Sequence, residues 1–297
     1  MSTLDQVVTK TKSKLSGAVG RDKINTLNDN YNSSVTTIGL TYTPGSEIVS
    51  GVIIEIDYEQ MMVVSNVSTT VTVIRGWNGT TPASHTTGTV VYVEPRFPRQ
   101  SILDEVSNEL RALPQTIYTT GTAVLTFASN VNRVDLTGAT GIVYRVLNAD
   151  RASFEGNTYP GFKPTLQIIR NADTSVFPSG YAVAIESGLS YGETATVRVV
   201  YAKALATTTL TSATDLQSTV GLPLTAEDIL MFGAASRLMY DKESLRLDFT
   251  RQGQSRAAEE VPPDVQGRQA QRWRLEADRR TSEEAMRLVG IWGIPGA

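Results

Sequence analysis

The apolar residues of this chain do not keep one period, and the places where the period changes restrict it to a mixed fold of alternating helical and strand-built segments. Residues 2 to 19 set Leu4, Val7, Val8, Leu15 and Val19 at helical spacings, with Lys10, Lys12 and Lys14 mostly on the other side, and Gly17 and Gly20 close the segment. This predicts a short amphipathic helix that needs a partner surface. From Ser34 to Glu94 short β-branched runs take over: Val35 to Leu40, Ile48 to Ile56, Met61 to Val67, Thr70 to Ile74 and Thr89 to Val93. Breaks at Thr43-Pro44-Gly45, Asp57-Tyr58-Glu59, Asn66 and the arm Arg75 to Gly88 space them as a small five-stranded barrel would. Pro95, Phe97 and Pro98 end that pattern. Ser101 to Leu113 then reads as a helix with Ile102, Val106, Glu109, Leu110 and Leu113 on one face, Asp104 and Glu105 near its positive end and Arg111 near the other.

Residues 116 to 209 return to strands, rich in Thr, Val, Tyr and Gly, with turn clusters at Ser129-Asn130, Thr137 to Gly141, Asn171 to Thr174 and Ser187 to Gly192. Tyr181 to Ile185 and Thr194 to Tyr201 alternate as half-buried antiparallel strands do, which predicts a second β domain of sandwich type. Thr207 to Thr214 reads as a polar linker. Thr225 with Asp228 three residues on forms a weaker relative of the capping box. Ile229 to Tyr240 is apolar on nearly every side, so burial all round is expected, supplied by neighbouring subunits. Gly and Pro break the pattern between Gln252 and Pro263. Beyond Asp264 a stripe of Ala270, Trp273, Ala277, Thr281, Ala285, Leu288 and Trp292 marks a long helix. On its charged face Glu276 with Arg280 and Glu283 with Arg287 are spaced to pair, each worth roughly 0.2–0.5 kcal/mol. The fold class is therefore α+β: an N-terminal helix or arm (1–30), a small β-barrel (31–97), a connecting helix (98–114), an antiparallel β-sandwich-like domain (115–209) and a helical segment with a C-terminal tail (210–297).

Composition removes several function classes. Across 297 residues, 27 Lys and Arg face 30 Asp and Glu, a formal charge of −3. That gives no basic footprint for phosphate neutralisation, so nucleic acid is not expected as a tightly held partner, while an acidic or neutral channel that lets DNA slide past is compatible with it. Cysteine is absent, which removes disulfides, thiolate metal sites and cysteine nucleophiles. No apolar run approaches the roughly 20 residues that cross a bilayer, and the first residues build no apolar signal core, so a soluble protein without membrane contact is expected.

Gly188-Leu189-Ser190-Tyr191-Gly192 fits the Gly-x-Ser-x-Gly elbow of serine hydrolases, but Glu193 to Tyr201 has a strand period where the elbow requires a helix. Such a hydrolase also needs a histidine downstream, and the sole histidine is His85. A hairpin turn is the expected role of this stretch. His85 cannot complete a zinc site alone and is expected to be a turn residue hydrogen-bonded to backbone. The acidic residues show neither a carboxylate pair suited to acid/base work nor a calcium loop, and Gly138-Ala139-Thr140-Gly141 lacks a phosphate-loop ending. No enzyme activity, metal or cofactor is expected.

What remains are contacts. Asn78-Gly79 takes the positive φ of a tight turn, so Arg75 and Trp77 are expected at a loop tip, with His85 on the same arm. On the C-terminal segment Phe232, Met239, Trp273, Leu288, Ile291, Trp292 and Ile294 are the expected partner-binding residues, since large apolar side chains on projecting segments serve as interface hot spots.

The arm wording Arg75-Gly76-x-x-Gly79-Thr80-Thr81-x-x-x-His85-x-x-Gly88-x-x-Val91, continued by Val91-Tyr92-Val93-Glu94-Pro95-Arg96-Phe97-Pro98-Arg99 and the helix to Leu113, resembles neck proteins of tailed bacteriophages, the head-to-tail connectors. The match covers about a fifth of the chain. The resemblance implies a small barrel leading directly into a helix, and no catalytic residues. It further implies a homo-oligomeric ring, a dodecamer, beneath the portal protein, touching a downstream neck or tail protein in the virion and lining the DNA channel. The large β segment 116–209 departs from the small helical adaptors. An alternative is a tail-tip or fibre protein whose sandwich binds host glycan through Tyr144, Tyr159, Tyr181 and Tyr191.

Overall fold

A computed structural model of the chain describes residues 2–19, 22–44, 47–128, 131–153, 164–187, 194–252 and 265–292. Helices and antiparallel strands lie in separate stretches, an α+β arrangement. The chain forms two compact units, one of Thr3–Arg111 with Asp228–Ala277 and the other of Met1–Ser2, Ala112–Glu227 and Asp278–Ala297.

The first unit is built on six strands: β1 (Lys23–Thr26), β2 (Thr37–Gly39), β3 (Ile53–Ile56), β4 (Glu59–Val67), β5 (Thr70–Ile74) and β6 (Val90–Val93), in the order β1-β6-β3-β4-β5-β2. Every pairing is antiparallel. Their inward residues, among them Ile38, Ile54, Ile56, Met61, Val63, Val71 and Val91, form one buried cluster. The expected five-stranded barrel is corrected here: there is a sixth strand, and no closed barrel is formed. The outer strands β1 and β2 have four and three residues, too few for a continuous ladder, and their extensions touch at a single bridge, Leu27 to Leu40. β1 was missed because Lys23-Ile24-Asn25-Thr26 is short and polar, and it buries only Asn25. The run from Ile48 yields a strand only from Ile53, because Gly51 at φ 92° turns the chain first.

Helix α1 (Leu4–Val19) buries Leu4, Val7, Val8 and Leu15 as its spacing predicts, and it packs on α2 (Arg99–Arg111). Lys12 breaks the expectation of an outward lysine face. Its ammonium is buried 3.1 Å from the Glu55 carboxylate of β3 and sits 3.5 Å from the centre of the Tyr92 ring. Glu55 also accepts the backbone N–H of Arg99 at 2.6 Å. Since α2 starts two residues earlier than its sequence suggests, Asp104 lies beyond the first turn, and the sheet supplies the negative group that favours a helix N-terminus. Burial pushes the Glu55 carboxyl up despite Lys12 and Arg99.

Helix α3 (Glu227–Gln252) buries Ile229, Leu230, Ala234, Ala235, Leu238 and Met239 within this one chain, so the cover expected from other subunits is already present. Thr225 is not its cap: the hydroxyl donates to the Glu284 carboxylate at 2.7 Å, and the helix begins after a 3-10 turn at Leu224–Ala226. On helix α4 (Val265–Trp292) Ala270, Trp273, Ala277 and Leu288 are buried along the expected stripe. On its charged face Glu283 pairs with Arg279 and Arg287 with Glu284, in place of the expected Glu283 with Arg287. In the first unit Glu109 of α2 joins three helices, its carboxylate lying 2.8 Å from Arg237 of α3 and 2.7 Å from Arg274 of α4.

The second unit holds β7 (Thr119–Phe127), β8 (Arg133–Asp135), β9 (Val143–Ser153), β10 (Thr165–Arg170), β11 (Tyr181–Ser187) and β12 (Ala195–Lys203). They form two three-stranded antiparallel sheets, β10-β11-β8 and β7-β12-β9. Leu125, Phe127, Val197 and Val199 from one and Val183 from the other share a buried cluster, with Leu166 and Ile168 packed against it. The expected turn at Gly188 to Gly192, with Ser190, lies outside the described residues.

Gly233 marks where α3 crosses closest to α2. A Cβ added there would lie 2.5 Å from Cδ of Glu109, a side chain held by two arginines. Replacing a helical glycine by alanine ordinarily gains about 1 kcal/mol, whereas overpacking costs about 1–3 kcal/mol. Gly233→Ala is therefore expected to lower the thermal unfolding midpoint. Gly17→Ala, with nothing within 4 Å of the added carbon, is expected to raise or hold it.

Candidate functional site

The arm from Arg75 to Gly88 is organised by a residue outside it. Glu59 opens β4, and its side chain has no exposure to solvent. Arg75 meets it with two parallel bonds, Nε to Oε1 and Nη2 to Oε2, both 2.6 Å. The N–H groups of Gly76 and Ala83 donate to the same carboxylate at 3.1 and 2.9 Å, and His85 Nε2 lies 3.0 Å from it. Arg75 also donates Nη1 to the carbonyls of Asn32 and Val35 and Nη2 to that of Ala83. One carboxylate and one guanidinium thus fix both ends of the arm. The expectation of Arg75 at an exposed tip is corrected, since its side chain is 6% exposed.

The other arm residues have local tasks. Gly76 at φ 64° leaves no room for a Cβ, which would meet the Thr80 carbonyl at 2.9 Å and the Pro82 ring at 3.1 Å. Asn78 and Gly79 take φ 53° and 78°, as their turn chemistry predicts. Thr80 donates its hydroxyl to the Trp77 carbonyl and accepts the Gln60 N–H. Trp77 is half-buried in a 3-10 turn.

His85 is buried, and its partners are side chains as well as backbone. Nδ1 lies 2.9 Å from Asp57 and Nε2 3.0 Å from Glu59, while its backbone bridges Tyr31. A neutral ring has one N–H, so two carboxylates favour the imidazolium that donates to both. Burial pushes the histidine down, but hydrogen bonds to Asp57 and Glu59 outweigh it and raise the group above its ordinary 6.5. Burial likewise pushes Glu59 up, and the hydrogen bonds from Arg75, His85 and Ala83 bring it down to about 2. Both ring nitrogens are engaged by carboxylates, so the imidazole clamps the arm to the turn between β3 and β4. No group of His, Asp and Glu among the described residues is placed to hold a metal ion. Glu59 and Asp57 were not singled out in the sequence because they stand 16 and 28 residues from their partners. The readable signal was an arginine and a histidine on an arm that has no acid of its own.

The expected contact residues of the C-terminal segment divide between the two units. Phe232, Met239 and Trp273 belong to the first unit and Leu288, Ile291 and Trp292 to the second, and Ile294 lies outside the described residues. Met239, Trp273 and Leu288 are buried by the chain itself, a correction to their reading as free surface. Phe232 is half-buried under the Lys14 ammonium, 5.1 Å from the ring centre. Leu288 packs with Tyr118 and Ala202, and Trp292 lies against that cluster. Ile291 is 56% exposed. Of the tyrosines that motivate glycan binding, Tyr159 and Tyr191 lie outside the described residues. Tyr144 is half-buried against the Leu288 cluster, and Tyr181 donates to the Gly141 carbonyl and accepts the Val143 N–H.

No protein-family model matches the chain, and no curated protein matches it. Among the described residues no helix is long and apolar enough to cross a membrane.

Glu59→Gln leaves the Arg75 charge buried with a neutral partner and is expected to cost about 3–5 kcal/mol in chemical denaturation. The depressed Glu59 stabilises the fold above its ordinary 4.5, and that contribution fades as pH falls from 4.5 towards about 2. The raised His85 has the opposite sign, stabilising fully below 6.5 and losing that contribution as pH climbs through its folded-state value. The stability difference between wild type and His85→Gln is therefore expected to shrink as pH climbs above 6.5. A difference that stays constant would remove the imidazolium from the clamp.

Proposed function

We propose that this chain is a structural protein of a tailed-phage virion, a head-to-tail adaptor that closes into a ring between portal and tail and surrounds the exiting DNA. The observation that carries the reading is the arm. Arg75, Gly76 and His85 of the phage-like wording bond to Glu59, while Gly79 and Thr80 shape the turn between them, and these defined places support the reading. The chain then passes from β6 into α2 within six residues, the strand-to-helix passage that the resemblance implies.

A ring closes when a head-to-tail contact repeats until it meets itself. Side chains left for such contacts include exposed Ile291 and half-buried Trp292 and Phe232. A net charge of −3 suits a channel that DNA passes through without being held. The clamp offers no catalytic step, and none is proposed.

Negative-stain microscopy of the purified chain, alone and mixed with portal protein, is expected to show closed rings of uniform diameter. Particles that stay monomeric with portal present would overturn the reading. Deleting residues 289–297 removes Ile291 and Trp292 and is expected to weaken portal binding by about tenfold or more, the scale of losing one hot-spot side chain. Unchanged binding would take the tail out of the mechanism while leaving ring formation to stand.

A further inference from the structure

The second unit carries a cleft of about 570 Å³ whose chemistry neither the clamp nor the ring reading uses. Arg145 of β9, Arg170 of β10 and Tyr118, just before β7, are among its polar residues, with Gln115, Thr116 and Tyr144 beside them. Ala202, Met286 and Val289 supply an apolar wall, and among the described residues no Asp or Glu lines it. In a chain with more acidic than basic residues, a cleft with two arginines and no acid is a local reversal of charge.

Arg145, Arg170 and Tyr118 are each left unsaturated. Arg145 stacks its guanidinium 5.4 Å from the centre of the Tyr118 ring, and Arg170 donates one N–H to the Tyr144 carbonyl at 2.5 Å. Among the described residues neither forms an ion pair with a carboxylate, although a guanidinium has five donors in a fork that fits one. The Tyr118 hydroxyl is buried and has no hydrogen-bond partner. Leaving a buried hydroxyl unpaired is unfavourable, so phenylalanine would suit folding better than tyrosine at this position. An acceptor in the cleft would meet the two guanidinium groups that line it, and one that displaced the cover over Tyr118 would pair its hydroxyl as well. Beside them the exposed thioether of Met286, with Val289 and Ala202, offers an adaptable apolar surface for a side chain.

We propose that this cleft binds a carboxylate carried next to an apolar side chain on a partner polypeptide. Two arginines suffice for one carboxylate. Nucleic acid is disfavoured, because a strand needs a succession of neutralised phosphates and the chain's net charge opposes it. The apolar wall also has no use for a bare phosphate. The proposal is independent of ring assembly.

The test is NMR of the full chain with labelled methionine methyls, following Met286 during titration with an N-acetyl-Leu-Glu-Leu amide peptide, its Gln counterpart, hexanoate, 1-hexanol, inorganic phosphate and a single-stranded oligonucleotide. Expected is saturable binding of the Glu peptide, weakened about tenfold or more in the Gln peptide and in the Arg145→Gln and Arg170→Gln variants, as for loss of a charge-assisted bond. Tyr118→Phe separates fold from function: it is expected to weaken the Glu peptide while keeping or raising the thermal midpoint. Hexanoate binding weaker than the Glu peptide supports a polypeptide source, and hexanoate binding as tightly would overturn it in favour of a small carboxylate. Phosphate or oligonucleotide binding as tightly as the peptide would overturn the carboxylate class. No Met286 response to any probe, or responses unchanged in both arginine variants, would overturn the site.

Discussion

A carboxylate sealed from water constrains the first unit more than any single apolar contact. Glu59 has no solvent to fall back on, so every lone pair that loses a donor leaves charge uncompensated in a poorly polarisable surrounding. Its donors come from a guanidinium, an imidazole and two backbone N–H groups, all on one arm. The arm therefore holds one path across the end of the sheet, although few of its residues belong to regular structure. Four residues earlier on the same hairpin, Glu55 does the corresponding work for the helices, accepting from Lys12 of α1 and from the first N–H of α2. β3 and β4 thus carry two buried charges, one fastening helices and the other fastening a loop.

Periodicity made the helices legible, and turn chemistry made Asn78-Gly79 legible, because both are written in neighbouring residues. The interactions that decide how the arm lies are written across distance. Arg75 finds its acid 16 residues upstream, and Lys12 finds its own 43 residues downstream. No spacing rule joins such pairs, so Glu59 read as the end of a turn and Lys12 as part of a solvated face. Thr225 failed for a related reason: the capping pattern was present, but a carboxylate 59 residues away took the hydroxyl. β1 was illegible because four mostly polar residues carry no strand signal until a neighbouring strand gives their backbone a partner.

The C-terminal helices show the limit of reading contact surfaces from apolarity. The chain buries most of the described apolar residues of α3, leaving Met239 and Trp273 inside, while Phe232 stays half-buried and Tyr240 exposed. Apolar pattern states how much surface must be covered and is silent on what covers it. Exposure separates the cases: Ile291 stands in solvent, while Leu288, three residues before it, is packed under Tyr118 and Ala202.

Asp57 sits in the tight turn between β3 and β4 with its side chain 58% exposed, so one end of an otherwise sealed relay touches the solvent. The two carboxylates that hold the imidazole thus differ in kind: Glu59 is shielded from dissolved ions and Asp57 is open to them, so added salt weakens the outer contact before the inner one.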